Sequence, residues 1–276
     1  MKKVNAVVLG DGGWGTTLAI HLHKRGHQVT LWGAFPDYCA KMAQTRRNAQ
    51  FLPGIAIPRG IQISSSLSEA VFCKDLIVIA VPSVYLRGVL TRLKTVQFSR
   101  HTRFLSVVKG IETRSLKRMS EVIHEELGPV KLAVLSGPTI AQELAHEQAT
   151  TAVIVSRDAA LRKELQSVFM SGTLRVYTND DVVGVELGGS LKNIIAIACG
   201  IADGLGFGSN AKAALLTRGL AEISRLGKEM GAKVSTFSGL SGLGDLVTTC
   251  VSHQSRNRFV GEQIGKGKTL KQVMKG

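Results

Sequence analysis

Val4-Asn5-Ala6-Val7-Val8-Leu9-Gly10-Asp11-Gly12-Gly13-Trp14-Gly15 carries an apolar run straight into a G-x-G-x-x-G turn. Each glycine has its own physical reason: Gly10 permits a tight turn, Gly12 lets a pyrophosphate approach the backbone, and Gly15 lets the next helix pack closely on the strand. Unpaired N–H groups at that helix start then face an anion. Such a turn in isolation is only a link between strand and helix. Here residues 16–25 carry Leu18, Ala19 and Leu22 at helical spacing, and residues 28–32 read as a second strand. The βαβ context therefore predicts a dinucleotide site.

Working outward, the 276 residues are enough for two domains, and 44% hydrophobic residues supply a sizeable core. Lys2 and Lys3 precede the apolar run, but Asn5 and Asp11 interrupt it and glycines stand where a cleavage site would be, so a signal peptide is not expected. The later apolar stretch at residues 194–202 is too short to span a bilayer. A soluble cytoplasmic protein without stable membrane insertion is the expectation. Cys39, Cys73, Cys199 and Cys250 are widely spaced and form no C-x-x-C, and the seven histidines show no metal spacing. Free buried thiols and no metal are expected.

The formal net charge is +15. Scattered basic residues, 5% aromatics and no nucleic-acid module argue against a nucleic-acid partner. Small phosphorylated ligands use the same positive field, and solvated surface lysines account for most of it.

Strand-type runs at residues 4–9, 28–32, 61–64, 76–81, 103–107, 131–135, 151–155 and 174–178 alternate with helical patterns such as 84–93, 116–127, 140–146 and 159–169. That alternation predicts an α/β sheet with crossovers. Leu76-Ile77-Val78-Ile79-Ala80-Val81 reads as a parallel strand buried on both faces. From Asn179 onward the pattern is helical, which places a second, all-helical domain at residues 179–276 after a first at 1–178.

Ligands of open α/β sheets collect beyond the carboxyl ends of the strands. Lys109-Gly110 and Ser136-Gly137-Pro138-Thr139 occupy such positions. Thr139 with Gln142 reads equally as a capping box or a ligand contact, and Lys109 as a cleft residue or a snorkelling surface lysine. Lys192 lies in a helix that is apolar nearly all round. Gly188 and Gly189 stand four and three residues before it and leave room for a ligand. A buried ammonium there suits proton transfer, the alternative being a helix-end lysine with its head in water. Asp245, among glycines and aliphatics, is a partner for such a lysine, a hydroxyl acceptor, or a helix N-cap. Ser255-Arg256-Asn257-Arg258 suits a phosphate, or is simply a basic helix start.

Taken together, six motifs make the chain resemble the bacterial type of NAD(P)-dependent glycerol-3-phosphate dehydrogenase: Gly10-Asp11-Gly12-Gly13-Trp14-Gly15, Val108-Lys109-Gly110-Ile111-Glu112, Leu135-Ser136-Gly137-Pro138-Thr139-Ile140-Ala141, Gly188-Gly189-Ser190-Leu191-Lys192-Asn193, Gly242-Leu243-Gly244-Asp245-Leu246 and Ser255-Arg256-Asn257-Arg258. The resemblance implies a Rossmann-like dinucleotide-binding domain followed by an all-helical C-terminal domain. It implies reversible reduction of dihydroxyacetone phosphate to sn-glycerol 3-phosphate, feeding glycerophospholipid synthesis. Lys192 matches the family's acid/base, with Asp245 orienting that lysine or the substrate hydroxyl. Lys109, Gly137, Thr139, Lys192, Asp245, Ser255, Arg256 and Asn257 match substrate contacts. Gly13, Trp14, Lys109, Ala141 and Arg256 match cofactor positions, beside Gly10, Gly12 and Gly15 of the turn.

Two departures stand out. Trp32-Gly33-Ala34-Phe35 offers neither a carboxylate for a ribose 2′-hydroxyl nor an arginine for a 2′-phosphate, so NADP and NAD are both expected, with a mild preference for NADPH. The chain stops at Lys275-Gly276 where relatives of the family continue, so the second domain is expected to be incomplete and a full-length form to be a homodimer. The competing expectations are a cofactor-binding but weakly active shortened form, and another hydride-transferring dehydrogenase of the same architecture.

Overall fold

The computed structural model describes residues 3–274, which divide into two compact units. The first comprises residues 3–135 and 139–180, and the second residues 136–138 and 181–274. In chain order the first part runs β1 (Asn5–Leu9), α1 (Gly13–Lys24), β2 (Gln28–Trp32), α2 (Pro36–Thr45), β3 (Gln62–Ser64), α3 (Leu67–Val71), β4 (Leu76–Ile79) and α4 (Ser83–Lys94). It continues with β5 (Arg103–Ser106), α5 (Met119–Leu127), β6 (Lys131–Ser136), α6 (Ala141–Ala145), β7 (Thr150–Val155), α7 (Ala159–Phe169) and β8 (Leu174–Asn179). The eight strands form one sheet in the order β3-β2-β1-β4-β5-β6-β7-β8. β1 lies parallel between β2 and β4, with Val8 opposite both Leu31 and Val78. The reversal of strand order at β1 makes its carboxyl end a topological switch point.

Alternate residues of the central strands serve opposite faces. Ala6 and Val8 of β1, with Leu76 and Val78 of β4, enter the core shared with Leu18 and Leu22 of α1. Val7 and Leu9, with Ile77 and Ile79, enter the other core with Leu86 and Leu90 of α4. Burial on both faces is why β4 reads as a continuous apolar run.

The helix expected from residue 116 begins instead at Met119. Leu116 has φ 57°, which no helix continues, and the Glu121 carboxylate accepts from the Arg118 N–H at 2.8 Å to cap the later start.

The second unit contains α8 (Val182–Gly204), α9 (Ser209–Glu229), α10 (Val234–Phe237), one π-helical turn (Leu240–Gly244), α11 (Asp245–Val251), α12 (Arg256–Gly265) and α13 (Leu270–Val273). Asp181 caps α8, accepting from the Gly184 N–H at 2.9 Å, and also accepts from the Lys233 N–H at 2.9 Å and the Thr236 hydroxyl at 2.6 Å. Gly200 and Gly204 of α8 interlock with Gly261 and Gly265 of α12. A Cβ on Gly200 would lie 2.8 Å from the Glu262 nitrogen, and one on Gly261 would lie 3.0 Å from the Ile201 nitrogen. Backbone thus meets backbone across this crossing.

The short stretch at 194–202 proves to be part of the 23-residue α8, which is long and apolar enough by length and composition to cross a membrane. Half of its most apolar window is nevertheless buried, and Ala196 and Cys199 pack with Leu246 and Cys250 of α11.

Candidate functional site

The glycine turn follows β1 at the switch point. Gly10 has φ +119°, and its side faces Ala80, where a Cβ would come within 2.7 Å of the carbonyl carbon. A Cβ on Gly15 would collide with the Gly10 carbonyl oxygen and stand 3.2 Å from the Ala80 side chain. At Gly12 a Cβ would meet nothing within 4 Å, so the backbone there is open to a ligand. α1 starts at Gly13 and has no side-chain cap. Its first N–H groups therefore remain available to an anion. Trp14, half-buried, packs against the core beneath.

A residue outside the expected set braces this turn. Asn48 is fully buried and donates from Nδ2 to the Asp11 carbonyl and to the Thr16 hydroxyl, both at 2.7 Å. Its Oδ1 accepts from the Tyr38 hydroxyl at 2.7 Å and the Phe51 N–H at 3.1 Å.

Ala141, at the start of α6, is brought to the same place: its carbonyl accepts from the Thr17 hydroxyl at 3.1 Å, and a Cβ on Gly13 would lie 3.7 Å from its side chain. Lys109 follows β5, and its ammonium donates to the Thr139 hydroxyl at 3.4 Å, so the side chain turns toward Thr139. The capping-box reading of Thr139 does not hold, because α6 takes Ile140 as its N-cap with no side-chain hydrogen bond. Gly110 permits a close approach to Ser83 at the start of α4, whose Cβ and Oγ would lie 2.7 Å from an added Cβ.

In the second unit Lys192 is 6% exposed and Asp245 1%. The two form an ion pair. The Lys192 ammonium also donates to the Thr249 hydroxyl at 2.6 Å, which in turn donates to the Asp245 carbonyl at 2.6 Å. A charge this deeply buried is tolerable only when paired and hydrogen-bonded. The N-cap reading of Asp245 is corrected: it is the first residue of α11, Gly244 stands at the cap, and the carboxylate is committed to Lys192. The room expected beside Gly188 is filled, since a Cβ there would collide with the Ser241 carbonyl oxygen and lie 3.4 Å from the Gly242 Cα. That glycine serves a close backbone approach of the π-helical turn to α8.

Ser255 caps α12, accepting from the Arg258 N–H at 3.2 Å. Arg256 is exposed at the first helical position, Asn257 is half-buried, and Arg258 is buried on Asp203, with Nε donating to Oδ2 at 2.7 Å. Of the two arginines, Arg258 is tied to Asp203 and Arg256 stands exposed. Gly137 follows β6 with φ +121°.

The comparisons with known proteins converge. Residues 5–162 match the model of the NAD-dependent glycerol-3-phosphate dehydrogenase N-terminus, and residues 181–276 that of its C-terminus. The glycerol-3-phosphate dehydrogenase [NAD(P)+] of Prosthecochloris aestuarii is 50% identical over 270 residues, covering 97% of this chain and 81% of its own length. That of Pelodictyon phaeoclathratiforme is 48% identical over 274 residues, covering 98% of this chain and 82% of its own. The crystal structure of glycerol-3-phosphate dehydrogenase from Coxiella burnetii superposes with TM-score 0.95 at 41% identity, covering 99% of this chain and 83% of that one. The chain belongs to the NAD-dependent glycerol-3-phosphate dehydrogenase family.

Proposed function

We propose that this chain reversibly reduces dihydroxyacetone phosphate to sn-glycerol 3-phosphate with NAD(P)H. The observation that carries the reading is the buried Lys192, held by both Asp245 and Thr249 on a family background that supplies the reaction class. The residues of the first unit fit a dinucleotide: Gly12 is open, α1 begins uncapped, and Gly13 and Ala141 lie together. Gly10, Gly12, Gly13, Trp14, Gly15, Lys109, Ala141 and Arg256 are the proposed cofactor contacts.

When bound, the nicotinamide supplies hydride to the carbonyl carbon or takes it back. Lys192 then donates its Nζ proton to the developing alkoxide, and in the reverse direction removes the hydroxyl proton. Asp245 stabilises the charged lysine and orients it, while Thr249 fixes the ammonium from a second side. Arg256 presents its guanidinium fork to the substrate phosphate, and Lys109, Gly137, Thr139, Ser255 and Asn257 complete the proposed substrate contacts.

The finer reading is that NADPH is mildly favoured over NADH, supported by the absence of an acidic side chain in Gly33-Ala34-Phe35 after β2. A cytoplasmic enzyme whose product feeds glycerophospholipid synthesis completes the proposal.

The test is spectrophotometric oxidation of NADPH on adding dihydroxyacetone phosphate, with Lys192→Ala alongside. Removing the general acid should lower kcat by about 10²–10⁴. NADPH binding should stay within a few-fold of the parent. Near-normal kcat in the variant would overturn the assignment.

A further inference from the structure

The acid that selects a ribose 2′-hydroxyl ordinarily stands about 20 residues beyond the glycines, at the end of the second strand. This chain has Gly33-Ala34-Phe35 there. A carboxylate nevertheless reaches the place from another direction. Asp11, inside the glycine turn, lays its Oδ2 against Gly33, the first residue after β2: a Cβ on Gly33 would collide with that oxygen and lie 2.7 Å from the Cys39 sulfur. The close approach explains why residue 33 is a glycine.

Two further observations bear on what Asp11 does. Its Oδ2 is buried and accepts no hydrogen bond among the described residues. Its backbone carbonyl, by contrast, is secured by Asn48 at 2.7 Å and Thr16 at 3.3 Å, so the turn carrying it is held. Burial pushes the carboxyl above its ordinary range, against a smaller opposing pull from its own backbone N–H. An orphaned buried acceptor costs free energy unless a ligand supplies the missing donor.

We propose that Asp11 is the specificity-determining residue of the adenosine end: its carboxylate accepts the 2′-hydroxyl of NAD(H), opposes the 2′-phosphate of NADP(H), and thereby keeps the NADPH preference small. The inference rests on the dinucleotide reading of the glycine turn. A hydroxyl supplies the donor that Oδ2 lacks. A phosphate supplies only oxygens, and two like charges brought together at a partly desolvated site repel.

The experiment measures binding rather than turnover, by titration calorimetry with adenosine 2′,5′-bisphosphate and with 5′-AMP as probes. Asp11→Asn keeps an acceptor for the hydroxyl and drops the charge. It should strengthen bisphosphate binding at least tenfold while leaving 5′-AMP within threefold. Asp11→Ser provides the same comparison where Asn is poorly accommodated, with a melting curve confirming the fold of each. An unchanged ratio of the two dissociation constants, or equal loss for both probes, overturns the assignment and leaves the dinucleotide reading standing. Failure of the parent protein to bind either probe overturns the dinucleotide reading itself, and the assignment with it.

Discussion

Lys192 is tied to Thr249 by a 2.6 Å hydrogen bond, and Thr249 passes the connection on to the backbone of Asp245 one helical turn earlier. The lysine is thereby fixed from two directions by the same short helix, once through the Asp245 carboxylate and once through a hydroxyl. Asp245 balances its charge, whereas Thr249 restricts where Nζ points.

Thr249 is consequently expected to act as a positioning residue. Thr249→Val removes a hydrogen bond to a charged group, worth about 1.5–3 kcal/mol. If that interaction is needed in the transition state, kcat should fall about 10- to 100-fold. Dinucleotide affinity should be unaffected, and Thr249→Ser should restore most of the rate. Near-normal rate in the Val variant with loss in Ser would indicate a packing role, since valine keeps the shape of threonine and serine keeps only its hydroxyl.

Arg256 and Arg258 separate in the same way that their environments do. Arg256 is exposed while Arg258 is buried on Asp203. Arg256→Lys should raise KM for the phosphorylated substrate with little change in melting temperature, because an ammonium cannot reproduce a guanidinium fork on phosphate. Arg258→Lys should instead lower the melting temperature. Equally efficient reduction of unphosphorylated dihydroxyacetone by the parent would remove phosphate recognition from Arg256.

Much of this arrangement was legible along the chain because its causes are local. Alternating burial on two faces makes β1 and β4 continuous apolar runs, and the glycine spacing follows from one turn of backbone. Lys192 was visible as a charge inside an apolar helix. Its partner Thr249 was not, since the pair spans 57 residues and threonine at the fourth position after Asp245 resembles any helix residue. Asn48 gives no signal for a related reason: it lies between α2 and β3 with no periodic neighbours, and only chain closure brings its amide under the glycine turn. Along the chain Gly188 looks like space for a ligand, yet the backbone of a segment more than fifty residues away occupies that space. Local pattern reveals that a helix lacks bulk, but tertiary contact decides what fills the gap.

His21 gives the first unit a pH dependence of definite sign. Burial lowers its pKa, the carbonyl of Phe169 partly offsets this by accepting from Nε2 at 2.7 Å, and the charges of Arg25, His27 and Lys24 lower it further. A depressed folded-state pKa means that the folded protein resists protonation more than the unfolded chain does. The associated stability is present above the ordinary histidine value near 6.5 and is lost as pH falls through the depressed one. Melting temperature should therefore decline from pH 7 toward pH 5, and His21→Gln should flatten that slope. An identical slope in the variant would assign the acid sensitivity elsewhere.

The α8–α12 crossing and the middle of α4 offer opposite outcomes for one substitution. At Gly200 an added methyl meets the backbone of α12, including the Glu262 nitrogen at 2.8 Å, and backbone cannot rotate aside. Gly200→Ala should thus destabilise by about 1–3 kcal/mol or more through overpacking. Gly88 lies inside α4, is exposed, and has nothing within 4 Å of an added Cβ. There alanine only removes conformational freedom from the unfolded chain, and Gly88→Ala should stabilise by about 0.4–1 kcal/mol. Denaturant melts of the two single variants check both signs. Tolerance of alanine at Gly200 without loss of stability would show that the helices can separate, and would undo the close-contact account of how α8 is held behind Lys192.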